Sequence, residues 1–133
     1  MRKAALLTGC ALALLTGCTF DNGAATNLAG AMAICARGGS HAEVRGSGIV
    51  LRYLGMRRTY YGLHEGFVVR IDGSTHRVED NAGITGPIPL HTGEPIALQG
   101  QYECDDGVIH WTHHDPRLRH PPGYVRVGGT SYE

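Results

Sequence analysis

The sequence predicts a mainly β fold: a small five-stranded barrel or half-barrel with a short helix before it and a hairpin at its C-terminal end. Three observations lead there. From residue 43 onward apolar and polar residues alternate at the period of a half-buried strand. Three dipeptides of the hairpin type, Asp72-Gly73, Asp106-Gly107 and Gly128-Gly129, punctuate the runs. Gly46 and Gly48 fall inside the first run, where a long strand can bend so that a sheet closes on itself.

The N-terminal segment is read first as an address. Met1-Arg2-Lys3 is basic, and Ala4 to Thr16 is a stretch of small and apolar residues, the two regions of a secretory signal. The stretch is shorter than the roughly 20 residues that a spanning helix needs. It ends in Leu15-Thr16-Gly17-Cys18, which resembles the lipobox of bacterial lipoproteins. That likeness implies a signal peptide of residues 1–17, cleavage before Cys18, and acylation of Cys18 by a diacylglyceryl group and an amide-linked chain such as palmitate. Multiple chains anchor stably where a single one does not. Leu7-Thr8-Gly9-Cys10 repeats the pattern but follows the basic start too closely for a full apolar region. Thr19, in place of aspartate, follows Cys18, which by the sorting pattern of some Gram-negative bacteria points to the outer membrane. The expected location is therefore the cell envelope, on its periplasmic or surface face, with the membrane as a partner through the lipid anchor.

Processing also alters the charge. The full chain balances twelve Lys+Arg against twelve Asp+Glu; without Arg2 and Lys3, ten basic residues face twelve acidic ones, and all ten are arginines. A chain this close to neutral argues against a nucleic-acid partner held by bulk charge. Arginine is nevertheless the better planar fork for anions.

Residues 18–27 read as a small, polar, lipidated tether. Residues 28–42 read as a short helix and linker: Leu28, Ala31, Met32 and Cys35 form one stripe, Thr26 or Asn27 is the N-cap, and Gly38 lies beyond the end. Residues 43–133 form the β domain. Its expected strand faces are Ile49, Leu51 and Tyr53; Phe67, Val69 and Ile71; Ile96, Leu98 and Tyr102; and Ile109 with Trp111. A strand from Thr75 to Glu79 follows Asp72-Gly73, and a final hairpin joins Tyr124–Val127 to Thr130–Tyr132. Together these suggest an OB-like barrel, with a small open sheet or sandwich as the alternative.

With Asp106-Gly107 as a two-residue loop, Glu103 faces His110, Tyr102 faces Trp111 and Cys104 faces Ile109. Leu98, Tyr102, Cys104, Ile109 and Trp111 then share the core face, while Gln99, Gln101, Glu103, His110 and Thr112 share the other. Cys104 and Cys35 both point to the core, and they are the two cysteines left once Cys10 is cleaved off and Cys18 acylated. In an oxidising compartment a Cys35–Cys104 disulfide and a pair of buried thiols are both open.

The run Gly107-Val108-Ile109-His110-Trp111-Thr112-His113-His114-Asp115-Pro116, after Gly100-Gln101-Tyr102-Glu103 and before Arg119-His120 and Gly123-Tyr124, is similar to the hallmark of a bacterial domain family of unknown function. The likeness covers roughly residues 46–132, including His64 and Phe67. It implies one such domain and carries no activity. Family members usually have an aromatic where Cys104 stands, so the resemblance does not imply the disulfide.

Three functions compete. His110, His113, His114 and His120 cluster around Asp115, residue types that bind a divalent metal such as zinc, and His64 could join them. A metal-dependent hydrolase would use His110, His114 and His120, with Glu103 orienting His110 as a base and Arg117 or Arg119 stabilising an anion. Along a strand, however, His110 and His114 stand about 13 Å apart, so a shared ion needs a bend at Asp115-Pro116. No serine or cysteine nucleophile stands beside the pair. The favoured reading is a ligand-binding module: Gly55 to Glu65 reads as a loop carrying Arg57, Arg58, Tyr60 and Tyr61, which suits a glycan, a polyanion or a peptide. The third is a structural envelope protein that docks on a partner protein.

Overall fold

Alternation and glycine turns close into a barrel, seen in a computed structural model that describes residues 24–133. The signal segment, Cys10, Cys18 and most of the tether lie outside the described residues. The elements are α1 (Leu28–Ala36), β1 (His41–Thr59), β2 (Gly62–Ile71), β3 (Ser74–Asp80), α2 (Ala82–Thr85), β4 (Pro95–Glu103), β5 (Ile109–His110), β6 (Tyr124–Val127) and β7 (Thr130–Tyr132). The strands run β1-β2-β3-β5-β4, and β4 pairs back onto β1, so five strands close the sheet. Only β3 and β5 pair in parallel; the other pairings within the barrel are antiparallel. This is the OB-like order.

One long strand makes closure work. The first half of β1 pairs with β4 and its second half with β2. At the crossover a Cβ on Gly48 would lie 1.8 Å from the Arg70 carbonyl oxygen, so only glycine fits. Register shifts at Leu51 and Leu54 then coil the strand. The expected face of Ile49, Leu51 and Tyr53 is corrected by this geometry. Ala42, Val44 and Val50 point inward, the inward positions between them are glycines 46 and 48, and Tyr53 is exposed. Alternation of apolar residues does not reveal the inner face of this strand, because two of its inward-facing positions carry no side chain.

The core is built from Val44, Val50, Phe67, Val69, Ile71, Val78, Leu98, Ile109 and Val125, with Leu28 and Ala31 of α1 capping it. Each of the valine, leucine, isoleucine and phenylalanine side chains contributes about 1.5–3 kcal/mol of burial. Asn27 is the N-cap, accepting from the Gly30 amide at 2.9 Å. Met32 is 47% exposed, so the helical stripe is Leu28 and Ala31 flanked by Ile34 and Cys35. Cys35 is bonded to Cys104 with their Cα atoms 5.3 Å apart, pinning α1 to the end of β4. Thr26, at the end of the tether, is itself joined to the barrel: its amide donates to Glu43 O at 2.9 Å, and its carbonyl accepts from Arg45 N at 2.8 Å.

Asp72-Gly73 and Gly128-Gly129 are two-residue turns with positive φ at both positions, as the sequence predicts. Asp106-Gly107 is not. Tyr102 pairs with Ile109 and Gln101 with His110, leaving Cys104–Gly107 as a four-residue loop. The Asp106 carboxylate accepts from Val108 N at 2.9 Å, a local side-chain turn that lengthens the loop. A two-residue offset preserves the faces. Tyr102 and Ile109 stay inside and Glu103 and His110 outside, but Glu103 and His110 are diagonal and not opposite.

Candidate binding cleft

The chain after β5 does not continue as a strand. Trp111 has φ 56°, a left-handed conformation that costs a bulky residue roughly 1–2 kcal/mol. From there residues 111–123 make an excursion before β6 pairs with the same edge of β4 that β5 left. Trp111 and Thr112 therefore exchange the places expected of them: Trp111 is only partly buried and Thr112 is fully buried.

Several contacts hold this excursion. Asp80 is wholly buried and accepts from the Thr112 hydroxyl at 2.7 Å and the Thr85 hydroxyl at 2.5 Å, tying β3, α2 and the loop together. Burial pushes the Asp80 carboxyl above the usual range. His113 donates through Nδ1 to His114 O at 2.6 Å. The Asp115 carboxylate accepts from Arg117 N at 2.9 Å and Arg119 N at 2.8 Å, which holds it below the usual range. Gly123 closes the loop: its amide donates to His113 O at 2.9 Å, and a Cβ there would lie 1.9 Å from Trp111 O.

Behind the loop, His120 stacks on Trp111 with centroids 4.4 Å apart. Its Nδ1 is 2.7 Å from Pro121 O, and its Nε2 is 2.7 Å from Gln101 Oε1 and 3.2 Å from Glu43 Oε1. Gln101 in turn donates to Glu103 at 2.5 Å. Burial, with the charge of Glu103 next in weight, raises the Glu43 carboxyl to about 7, while burial pulls the His120 imidazole below its ordinary value. The two groups face each other across 3.2 Å, each shifted toward its neutral form by burial.

The opposite wall is the β1–β2 arm. The segment expected as a loop from Gly55 to Glu65 is a β ladder down to Thr59–Gly62, and only Tyr60-Tyr61 forms the turn. Arg57 and His64 are cross-strand partners on the inner side, with Thr59 beside them. Thr59 Oγ1 lies 3.1 Å from His64 Nδ1.

Between the walls lies an open cleft of about 730 Å³, floored by Glu79, Asn81, Glu103 and His110. It brings together Arg57, Tyr61, His64, Glu103, His110, His113, Asp115, Arg117 and Arg119 of the sequence-selected residues, and adds Trp111. It does not include Arg58, Tyr60, His114 or His120. Arg58, Tyr60 and His114 point to solvent, and His120 lies behind Trp111. Among the described residues no three His, Cys, Asp or Glu side chains are placed to hold a metal ion together. His113 and His120 already spend ring nitrogens on backbone carbonyls, and Glu103 sits diagonal to His110.

The polar balance of the cleft is uneven. Glu79, 6% exposed, is engaged by Arg77 and lies 3.6 Å from Arg57; Asp115 is occupied by backbone amides. The guanidinium-bearing side chains of Arg57 and Arg119 are 65% and 63% exposed on the rim. Sequence reasoning missed Glu43, Asp80, Thr85 and Thr112. An acidic Glu79-Asp80 pair at a strand end was the one signal, and its threonine partners lie far away in sequence.

Fold and site together define a small closed β-barrel domain with an arginine-rimmed polar cleft. A family model described as Protein of unknown function (DUF3465) matches residues 19–133, and the chain belongs to that family. No curated protein and no solved structure matches it.

Proposed function

We propose that this domain is a binding module whose cleft holds an anionic group of a cell-envelope ligand, carried on a lipoprotein anchored through Cys18. One observation carries the binding reading: Glu79 and Asp115 are buried and already engaged by Arg77 and by backbone amides, while Arg57, 3.6 Å from Glu79, and Arg119, 3.8 Å from Asp115, keep most of their guanidinium forks in solvent on the rim. The unspent hydrogen-bonding capacity is therefore that of donors, which suits a ligand rich in acceptor oxygens. The cleft volume of about 730 Å³ falls in the range of small-ligand sites, room for a charged headgroup or a short run of sugars.

Trp111, the single tryptophan of the chain, lines the cleft and reports on it. Titration with inorganic phosphate, a sulfated heparin oligosaccharide and an uncharged dextran oligosaccharide is expected to give a saturable fluorescence change with the anions alone. An equal response to the dextran overturns the anionic reading. For the anchor, metabolic labelling with a fatty acid is expected to mark the chain, with the label lost in Cys18→Ala; label retained in that variant contradicts it.

A further inference from the structure

Three large hydrophobic side chains are more than four-fifths exposed among the described residues: Tyr60 at 96%, Leu118 at 91% and Tyr61 at 82%. The other exposed large hydrophobics stand near 40–47%. The three are not scattered. Tyr60 and Tyr61 form the tip of the arm that makes one wall of the cleft, and Leu118 is the tip of the loop that makes the other. Each tip is flanked by cations, Arg57-Arg58 before the tyrosines and Arg117 and Arg119 on either side of the leucine.

The exposure of Leu118 is built into the backbone. Asp115 clamps the amides of Arg117 and Arg119, and Leu118 N donates to Asp115 O at 2.9 Å. This tight turn holds Leu118 at φ 53°, a left-handed conformation that leucine disfavours. A strained backbone that presents an aliphatic side chain to water between two arginines is arranged for an apolar environment bordered by negative charge. Tyrosine belongs at that same boundary, its ring in the apolar layer and its hydroxyl in the wet one.

We infer that the two rims of the cleft dock on an anionic lipid surface, with Tyr60, Tyr61 and Leu118 entering the interface and the neighbouring arginines meeting lipid phosphates. This rests on the anionic-cleft reading and names its ligand: a phosphate-bearing lipid headgroup presented by a bilayer. The contact is separate from any lipid on Cys18. The two tips supply both of the forces that hold proteins at interfaces, apolar insertion and attraction to anionic headgroups.

The test uses residues 19–133 without the lipid, since the core and the disulfide lie wholly within that span. Sedimentation is measured with vesicles of phosphatidylcholine alone and with about 30% phosphatidylglycerol, at low and physiological salt. Binding is expected to the anionic vesicles only, and brominated lipid is expected to quench Trp111. Tyr60→Ser combined with Leu118→Asn is expected to weaken partitioning at least about tenfold. Asparagine accepts the left-handed backbone at position 118, so this variant keeps its fold. Arg117→Ala with Arg119→Ala is expected to cost about fivefold per arginine. Arg70→Ala, an exposed arginine outside the cleft, is the unchanged control.

No partition onto anionic vesicles, or partition indifferent to the Tyr60/Leu118 pair, overturns the inference. The same proteins titrated with the heparin oligosaccharide separate the two readings. Soluble-anion binding that depends on Arg117 and Arg119, without vesicle binding, leaves the cleft reading intact and removes the membrane; loss of both removes both.

Discussion

The His120 imidazole lies flat on the Trp111 indole, planes 10° apart and centroids 4.4 Å apart. This contact joins the base of the 111–123 loop to its return limb, so it sets the shape of one cleft wall from behind. Removing it in His120→Ala strips a stacked face from Trp111 and takes the one side-chain partner from Gln101 Oε1 and from Glu43. A loss of about 1–2 kcal/mol is expected in urea unfolding, with a red shift in tryptophan emission. Anion affinity is expected to fall several-fold, although His120 does not line the cleft. Unchanged emission contradicts this role.

Glu43 gives the fold a pH dependence of known sign. Its folded carboxyl sits at about 7 against 4.5, so between those values the folded state keeps a proton that the unfolded chain releases. Stability from this group is full below about 4.5 and is lost as pH rises through about 7. His120 acts oppositely: its lowered value makes its contribution full above 6.5 and lost on acidification. Replacing the acid isolates its part. Between about pH 5 and pH 8 the wild type is expected to lose on the order of 1–2 kcal/mol relative to Glu43→Gln, allowing for partial solvent screening. Parallel stability curves for the two proteins rule this out.

The disulfide closes a separation of 69 residues between Cys35 and Cys104. In the chain-entropy picture such a link contributes roughly 4 kcal/mol. Cys35→Ser and Cys104→Ser are each expected to lose most of this and to free α1 from β4. The double variant is expected to be no less stable than either single one, because both break one bond. Additive losses in chemical unfolding contradict a shared link.

Asp80 holds two threonine hydroxyls at a fully buried site. Asp80→Ala leaves the buried Thr112 hydroxyl without its acceptor and turns Thr85 to the carbonyls of Asn81 and Gly86, and about 1–3 kcal/mol is expected to be lost. Asp80→Asn keeps the shape and one acceptor oxygen and is expected to recover a good part of it. Equal stability of wild type and Asp80→Ala, measured by thermal and urea unfolding, contradicts a stabilising role for this network.

Much of the fold was legible because it depends on local signals. Asp72-Gly73 and Gly128-Gly129 are chemically committed to positive φ, and Phe67, Val69 and Ile71 alternate without interruption, so turns and inner faces followed. Each difference has its own local cause. At Gly46 and Gly48 the inward face carries no side chain, which hid the face of β1; at Asp106 a side-chain hydrogen bond lengthened the loop; at Trp111 the backbone left the strand although the alternation ran on. Most of the cleft was legible by residue type, since arginines and histidines crowd two segments. Its supports were not, because the partnership of Asp80 with Thr85 and Thr112, or of His120 with Glu43, exists only once the barrel has closed.

The proposed anion site consists of exposed arginines beside engaged carboxylates. The most direct measurement is the Kd of residues 19–133 for the heparin oligosaccharide, read by Trp111 fluorescence, in the wild type, Arg57→Ala and Arg119→Ala at two salt concentrations. Each substitution is expected to weaken binding by about tenfold or more, and the wild-type Kd to rise with salt. Affinity that is unchanged in both variants and indifferent to salt contradicts the anion site.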